Sequence, residues 1–226
     1  MKMILFLARH ELRLVLKEPQ FFIPYLLVPL ITIGIYGFFI FSSGTTEMES
    51  LYISRLTVVL VGVLVASMSL ALCADSFAGE KERNTLETLL CAPPGLRSLF
   101  LGKLLGVMPF PILAGWVGQI VLLVLANVHS PGIWDGGEIF SALALTPVTA
   151  LFITAISIYI SLRTSSVRSA AQLSGIFVLG YLFSAQFIFN WYFTSFVHVC
   201  GVLGVVLLVS FFLILLNINT FKKGIS

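Results

Sequence analysis

The sequence predicts an all-α polytopic membrane protein with six transmembrane helices, and three observations predict it. Hydrophobic residues make up 58% of the chain and charged residues 10%, giving a mean hydropathy of +1.06, well above that of a soluble domain. Uncharged runs of about twenty residues recur, the length a helix needs to cross about 30 Å of hydrocarbon. Lysine and arginine gather in the segments between alternate runs. A closed barrel would instead show segments of about ten residues alternating in polarity, and these runs are longer and apolar on every side.

The first twenty residues precede any span. Read as a helix over 2–18, they place Arg9, Arg13 and Lys17 in an i, i+4, i+8 stripe, with Leu5, Ala8, Leu12, Val15 and Leu16 spread opposite. Pro19 ends that helix, because the residue before a proline is pushed out of the helical region. Such a basic amphipathic segment is expected to lie in the membrane interface near anionic headgroups. Glu11 and Glu18 fall on its apolar side, where packing against protein would use them.

The six expected spans are 21–41, 56–74, 104–128, 139–162, 170–189 and 194–218. The first reads as a retained span rather than a secretory signal, since Glu11, Arg13, Lys17 and Glu18 separate it from the start and no small-residue cleavage site follows. Orientation follows from the positive-inside rule. With the N-terminus inside, the inner segments hold Lys2, Arg9, Arg13, Lys17, Lys81, Arg83, Arg97, Lys103, Arg163, Arg168, Lys222 and Lys223. Of the 13 basic residues this leaves Arg55 alone outside, beside the acidic Glu47, Glu49, Asp135 and Glu138. Both termini are therefore expected in the cytoplasm, in a cell's inner (cytoplasmic) membrane. The outer loops, of about 14, 10 and 4 residues, leave no room for an outer domain. Trp134 and Trp191-Tyr192 are expected at the headgroup layer.

Cys73, Cys91 and Cys200 are scattered and odd in number, with neither a disulfide framework nor metal-ligand spacing; they read as buried small hydrophobes. Within the spans the notable polar groups are Ser67, Ser69, Gln119, Ser174, Tyr181, Ser184 and Gln186, with helix packing as the plain reading of each. Ser67, Ser174, Tyr181 and Ser184 are the candidates for a translocation path. No acid or base lies in the central part of any span, which argues against a proton-driven or ion-coordinating mechanism. Pro24, Pro29, Pro109, Pro111 and Pro147 are candidate kinks.

One cytoplasmic segment breaks the pattern. FAGEKERNTLETLLCAPPGLRSLFLGK, residues 77–103 within the polar segment 75–103, carries seven of the chain's charges between two uncharged runs. Asn84 and Glu87 have capping-box spacing, so a short helix is expected from Thr85, with Leu86, Leu89 and Leu90 on one face and Pro93-Pro94-Gly95 as its stop. Two turns are too few to be stable alone in water, so the helix must dock. The mixed charges Glu80, Lys81, Glu82 and Arg83 suit register-setting contacts with a protein rather than lipid or nucleic acid.

The pattern Glu80-Lys81-Glu82-x-x-Thr85-x-Glu87-x-Leu89-Leu90-x-x-Pro93, followed by Gly102-Lys103 opening a span, resembles the signature of ABC-2 type transporter permeases. These are the membrane subunits of ATP-binding-cassette exporters of the type-V, ABCG-like fold. The resemblance covers the whole chain: an elbow helix, six spans, both ends inside, and a polar loop between the second and third spans. It implies that this loop forms a coupling helix docked in a groove of the ATPase, with Glu80, Lys81, Glu82, Arg83, Thr85, Leu86, Glu87, Leu89 and Leu90 as the facing residues. It also implies two copies of the ATPase, which bind ATP and magnesium, and a second permease, identical or homologous, to complete the path. Two features depart from the family pattern. Asn84 stands where Gly is common, and the outer segment between spans five and six is only a few residues.

The chain carries no nucleotide site of its own: Gly102-Lys103 is followed by Leu104, and Arg97 stands where a phosphate-binding loop needs glycine. Ser174-Gly175 and His198 invite comparison with intramembrane serine proteases. Ser174 lacks the glycine two residues before it, and the two side chains are expected near opposite faces of the membrane, beyond hydrogen-bond reach. The expectation is therefore a non-enzymatic permease subunit exporting an amphipathic or hydrophobic substrate with a separate ATPase. The alternatives are a sodium or antibiotic exporter subunit of the same fold, or a non-transporting scaffold that recruits a cytosolic partner.

Overall fold

The structure is a computed structural model that describes residues 19–42, 46–79, 96–132, 134–193 and 195–223, together with 6, 8, 9 and 82. Its elements are α1 (Pro19–Ser42), α2 (Glu47–Ser67), α3 (Ser69–Cys73), a π-helix (Ala74–Gly79), α4 (Leu96–Val107), α5 (Pro109–His129), α6 (Gly136–Ser161), α7 (Val167–Tyr192) and α8 (Phe196–Lys223). Among the described residues there is no strand, and the fold is all-α. Among the described residues, five stretches are long and apolar enough to cross a membrane: Ile23–Ile40, Met48–Gly79, Phe100–His129, Gly136–Ser161 and Val197–Thr220. The 26 residues of α7 form a sixth helix of similar length. The expected elbow helix, apart from positions 6, 8 and 9, and the expected helix from Thr85, with its Asn84–Glu87 box and Pro93 stop, lie outside the described residues.

Helix α2 starts at Glu47, well before the expected Leu56, and so absorbs most of the first outer loop. The cause is a local signal in the sequence. Thr46 Oγ1 accepts from the Glu49 amide at 3.4 Å while Glu49 Oε2 accepts from the Thr46 amide at 2.9 Å, a reciprocal cap that satisfies two free donors. The second span also changes character along its length. It turns at Met68, whose amide reaches back to the Val65 carbonyl at 3.1 Å, resumes as α3, and loosens into the π-helix. The third span is interrupted at Met108, because Pro109 and Pro111 lack the amides that would continue the ladder from α4 into α5.

Helix α6 is the centre of the bundle, with α2, α5, α7 and α8 packed around it. Its sequence is apolar or small on all sides, as a helix buried by protein requires. Thr146, Thr149, Thr154, Ser157 and Ser161 are all buried along it. Where α2, α5 and α6 meet, Gln119 is fully buried and its amide is fully committed. Nε2 donates to the carbonyls of Val58 at 3.1 Å and Ala142 at 3.2 Å, and Oε1 accepts from Thr146 Oγ1 at 2.8 Å. This close approach depends on Gly62, where an added Cβ would collide with Thr146 Oγ1 and Gln119 Nε2. Small residues letting backbones approach, and polar side chains bonding across helices, are what hold helices together in lipid. In contrast α1 and α8 expose long apolar faces, including Leu26, Leu30, Phe38, Leu208, Phe211 and Phe212.

Candidate functional site

The described end of the charged segment is anchored to two other helices. After the π-helix, Glu82 is exposed, and its Oε2 accepts a hydrogen bond from the Val167 amide at 3.1 Å. Val167 is the first residue of α7, where the backbone N–H has no partner within the helix and the helix dipole favours an anion. Ala74 and Ala78 pack with Ala170 beside Val167 and Ala171. Gly79 also faces this surface: an added Cβ would make ordinary contact with Val167 Cγ2 at 3.5 Å, and would press at 2.9 Å on Asp75 Oδ1 of its own helix.

The second anchor is Lys103, counted from sequence simply as a basic residue at the mouth of a span. It is 3% exposed. Its Nζ donates to the Ser76 carbonyl at 2.7 Å and lies 3.3 Å from Ser76 Oγ, with the Phe77 ring centroid 5.4 Å away. A π-helical turn widens the spacing of backbone carbonyls, and the ammonium takes up one of them. Phe77 and Phe100, both fully buried, meet at 5.9 Å beside it. A signal for this burial was present in the sequence: Lys103 falls in the Phe100, Leu104, Val107 stripe, the buried face of α4.

The other expected interface residues, Glu80, Lys81, Arg83, Thr85, Leu86, Glu87, Leu89 and Leu90, lie outside the described residues. So do Arg13 and Lys17 of the basic stripe, whereas Arg9 is exposed beside the buried Ala8.

The four candidate path residues separate. Tyr181 and Ser184 line a cavity of about 90 Å³ between α2, α6, α7 and α8, together with Val59, Val63, Leu145 and Tyr192. Ser184 Oγ donates to its own helix at the Gly180 carbonyl, 2.8 Å away. Ser67 does the same with Leu64 at 2.6 Å, and Ser174 is buried with its hydroxyl unpartnered; neither lines that cavity. Ser174 stands two turns into α7, and His198 stands in the first turn of α8, beyond the far end of α7. That arrangement gives no hydrolytic pair.

At the opposite end of the bundle the described aromatic residues pack against protein. Trp134 and Tyr192, expected at the headgroup layer, are buried within the protein. Trp134 meets Phe193 edge-on at 6.2 Å, and Tyr192 Oη donates to the Ser141 carbonyl at 2.9 Å. Cys73 is buried as expected, whereas Cys200 is exposed on α8, which corrects its reading as a buried small hydrophobe.

Comparison with known proteins adds two findings. A family model described as ABC-2 family transporter protein matches residues 5–220. The chain is also similar to the ABC transporter permease protein NatB of Bacillus subtilis (strain 168), at 27% identity over 151 residues, which is 63% of this chain and 39% of that protein. The match thus spans about two fifths of the relative's length.

Proposed function

The chain belongs to the ABC-2 family of transporter proteins, and from that premise we propose that it is the membrane permease subunit of an ATP-driven exporter. ATP and magnesium are bound by a separate ATPase, in two copies, that docks on the cytoplasmic segment between the second and third spans. The observation that carries this reading is the anchoring of that segment. The described residues on its flanks are tied to one another through Lys103 and Ser76, and to α7 through Glu82 and Val167. A polar segment held this way can transmit force. A second permease completes the path, and both termini lie in the cytoplasm of a cell bounded by this inner membrane, as the distribution of basic residues supports.

The cargo is amphipathic or apolar. The cavity on α7 is walled by Val59, Val63, Leu145, Val202 and Val206, with the phenol groups of Tyr181 and Tyr192 among them. Such a surface favours aliphatic groups and cannot cheaply solvate a bare ion.

Two substitutions in the segment test the reading. Leu89→Asp would bury an unpaired carboxylate at the ATPase contact, so the ATPase should be lost on pull-down. Glu87→Gln keeps a side chain able to cap, so the complex should assemble with weakened transport per ATP hydrolysed. Retention of the ATPase and normal export by Leu89→Asp would refute the assignment.

A further inference from the structure

The family resemblance implies that Glu82 is among the residues facing an ATPase, yet its carboxylate is engaged inside the chain, on the first amide of α7. From this geometry we infer that Glu82 is a positioning residue that passes movement of the cytoplasmic segment to α7. The inference rests on the permease reading and says which helix that segment moves.

Three features support the assignment. The bond joins residues 85 apart in sequence and is charge-assisted: a carboxylate on an unsatisfied helix-terminal amide, favoured by the dipole. It is exposed, so it can break and reform as the segment shifts, unlike the buried clamp of Lys103 on Ser76. The π-helix behind it packs on the same turn of α7 through Ala74, Ala78, Gly79 and Ala170, small groups over which two helices can slide. π-Helical turns are frequent at functional sites.

The consequence lies farther along α7. From Val167 to Tyr181 is about 21 Å at 1.5 Å per residue, and Tyr181 and Ser184 line the cavity. A pull on the first turn of a continuous helix therefore reaches the cavity wall directly. Lys103 holds the base of the segment against α4, so displacement is directed to α7 rather than lost by separation of the second and third spans.

The test uses the full chain with its partner ATPase in lipid nanodiscs. Phe177, exposed on α7, is replaced by cysteine in a background lacking Cys73, Cys91 and Cys200, and its rate of reaction with a maleimide is measured with and without ATP and vanadate. In the otherwise native chain the rate should change with nucleotide. With Glu82→Ala, the ATPase should stay bound and hydrolyse ATP while that change is lost; Glu82→Gln, which keeps an acceptor, should retain part of it. A nucleotide-dependent change that survives Glu82→Ala overturns the inference, as does loss of the ATPase from that variant, which would make Glu82 a docking residue. Hydrogen exchange on the isolated chain provides an arm independent of any ATPase. Amides at 167–170 should exchange faster in Glu82→Ala, and unchanged exchange also overturns the inference. Failure of the unmodified chain to capture an ATPase would instead count against the permease reading.

Discussion

The guanidinium of Arg55 pairs with the carboxylate of Glu138, tying α2 to the first turn of α6 across 83 residues at the end of the bundle opposite Lys103. The Arg55 guanidinium also lies 5.4 Å from the Phe193 ring centroid, in the turn between α7 and α8. Trp134 and Tyr192 pack edge-on against that same ring. One basic residue thus gathers three connections that the sequence shows only as short loops.

Reversing either charge should loosen this end. Arg55→Glu or Glu138→Arg alone would set like charges together at a partly buried site and should cost about 1–3 kcal/mol. The double reversal should recover most of that loss. Unfolding of the purified chain in mild detergent, monitored by tryptophan fluorescence, measures the cycle. Additive losses in the double variant would show that the two side chains are not coupled.

Lys103 should tolerate loss of its charge better than reversal of it. Lys103→Met keeps the stem that packs beside Phe77 and Phe100 but leaves the Ser76 carbonyl without the ammonium, an expected cost of about 1–3 kcal/mol. Lys103→Glu brings a carboxylate against two oxygens, and this variant should fail to accumulate in the membrane. Yield and thermal stability after extraction distinguish the two.

Two glycines on different helices should respond oppositely to alanine. At Gly62 a Cβ collides with Thr146 and Gln119, so Gly62→Ala should destabilise by about 1–3 kcal/mol. At Gly175 nothing lies within 4 Å of the added atom, and Gly175→Ala should be neutral or stabilise α7 by up to about 1 kcal/mol. Equal effects would contradict the close packing of α2, α5 and α6.

Topology can be read chemically. In a chain without native cysteines, single cysteines at Thr46 and Ser130 should react with an impermeant thiol reagent applied to intact cells, and those at Asn84 and Gly224 should react only after lysis. The reverse pattern would invert the orientation and remove the cytoplasmic segment from reach of any ATPase.

Much of the fold was legible because hydrocarbon admits few solutions. Each uncharged run of about twenty residues had to become a helix, and α6 and α8 begin within three residues of the expected limits. The Thr46–Glu49 box was equally legible but lay hidden in a segment read as loop because of its acidic residues. The break at Met108 follows from Pro109 and Pro111, both visible as candidate kinks.

The candidate site was legible only as a segment. Composition singles out residues 77–103, and Glu82 within them, because charges are costly beside lipid and must have a use. That Glu82 reaches Val167, that Lys103 turns inward to Ser76, and that Tyr181 and Ser184 share a cavity while Ser67 and Ser174 stand apart are pairings over tens of residues. No local periodicity records them.

By itself the sequence determined that the chain is all-helical and built of apolar runs long enough to cross a membrane, and it marked one charged segment between two of them, because hydrophobic burial and charge placement act residue by residue along a chain. The tertiary structure decided which helix occupies the centre, which polar groups are consumed in packing, and which join distant segments. Those outcomes depend on distances of a few ångströms between helices, set by Gly62 and Gln119 at the core, by Gly79 and Lys103 at one end, and by Arg55 and Phe193 at the other.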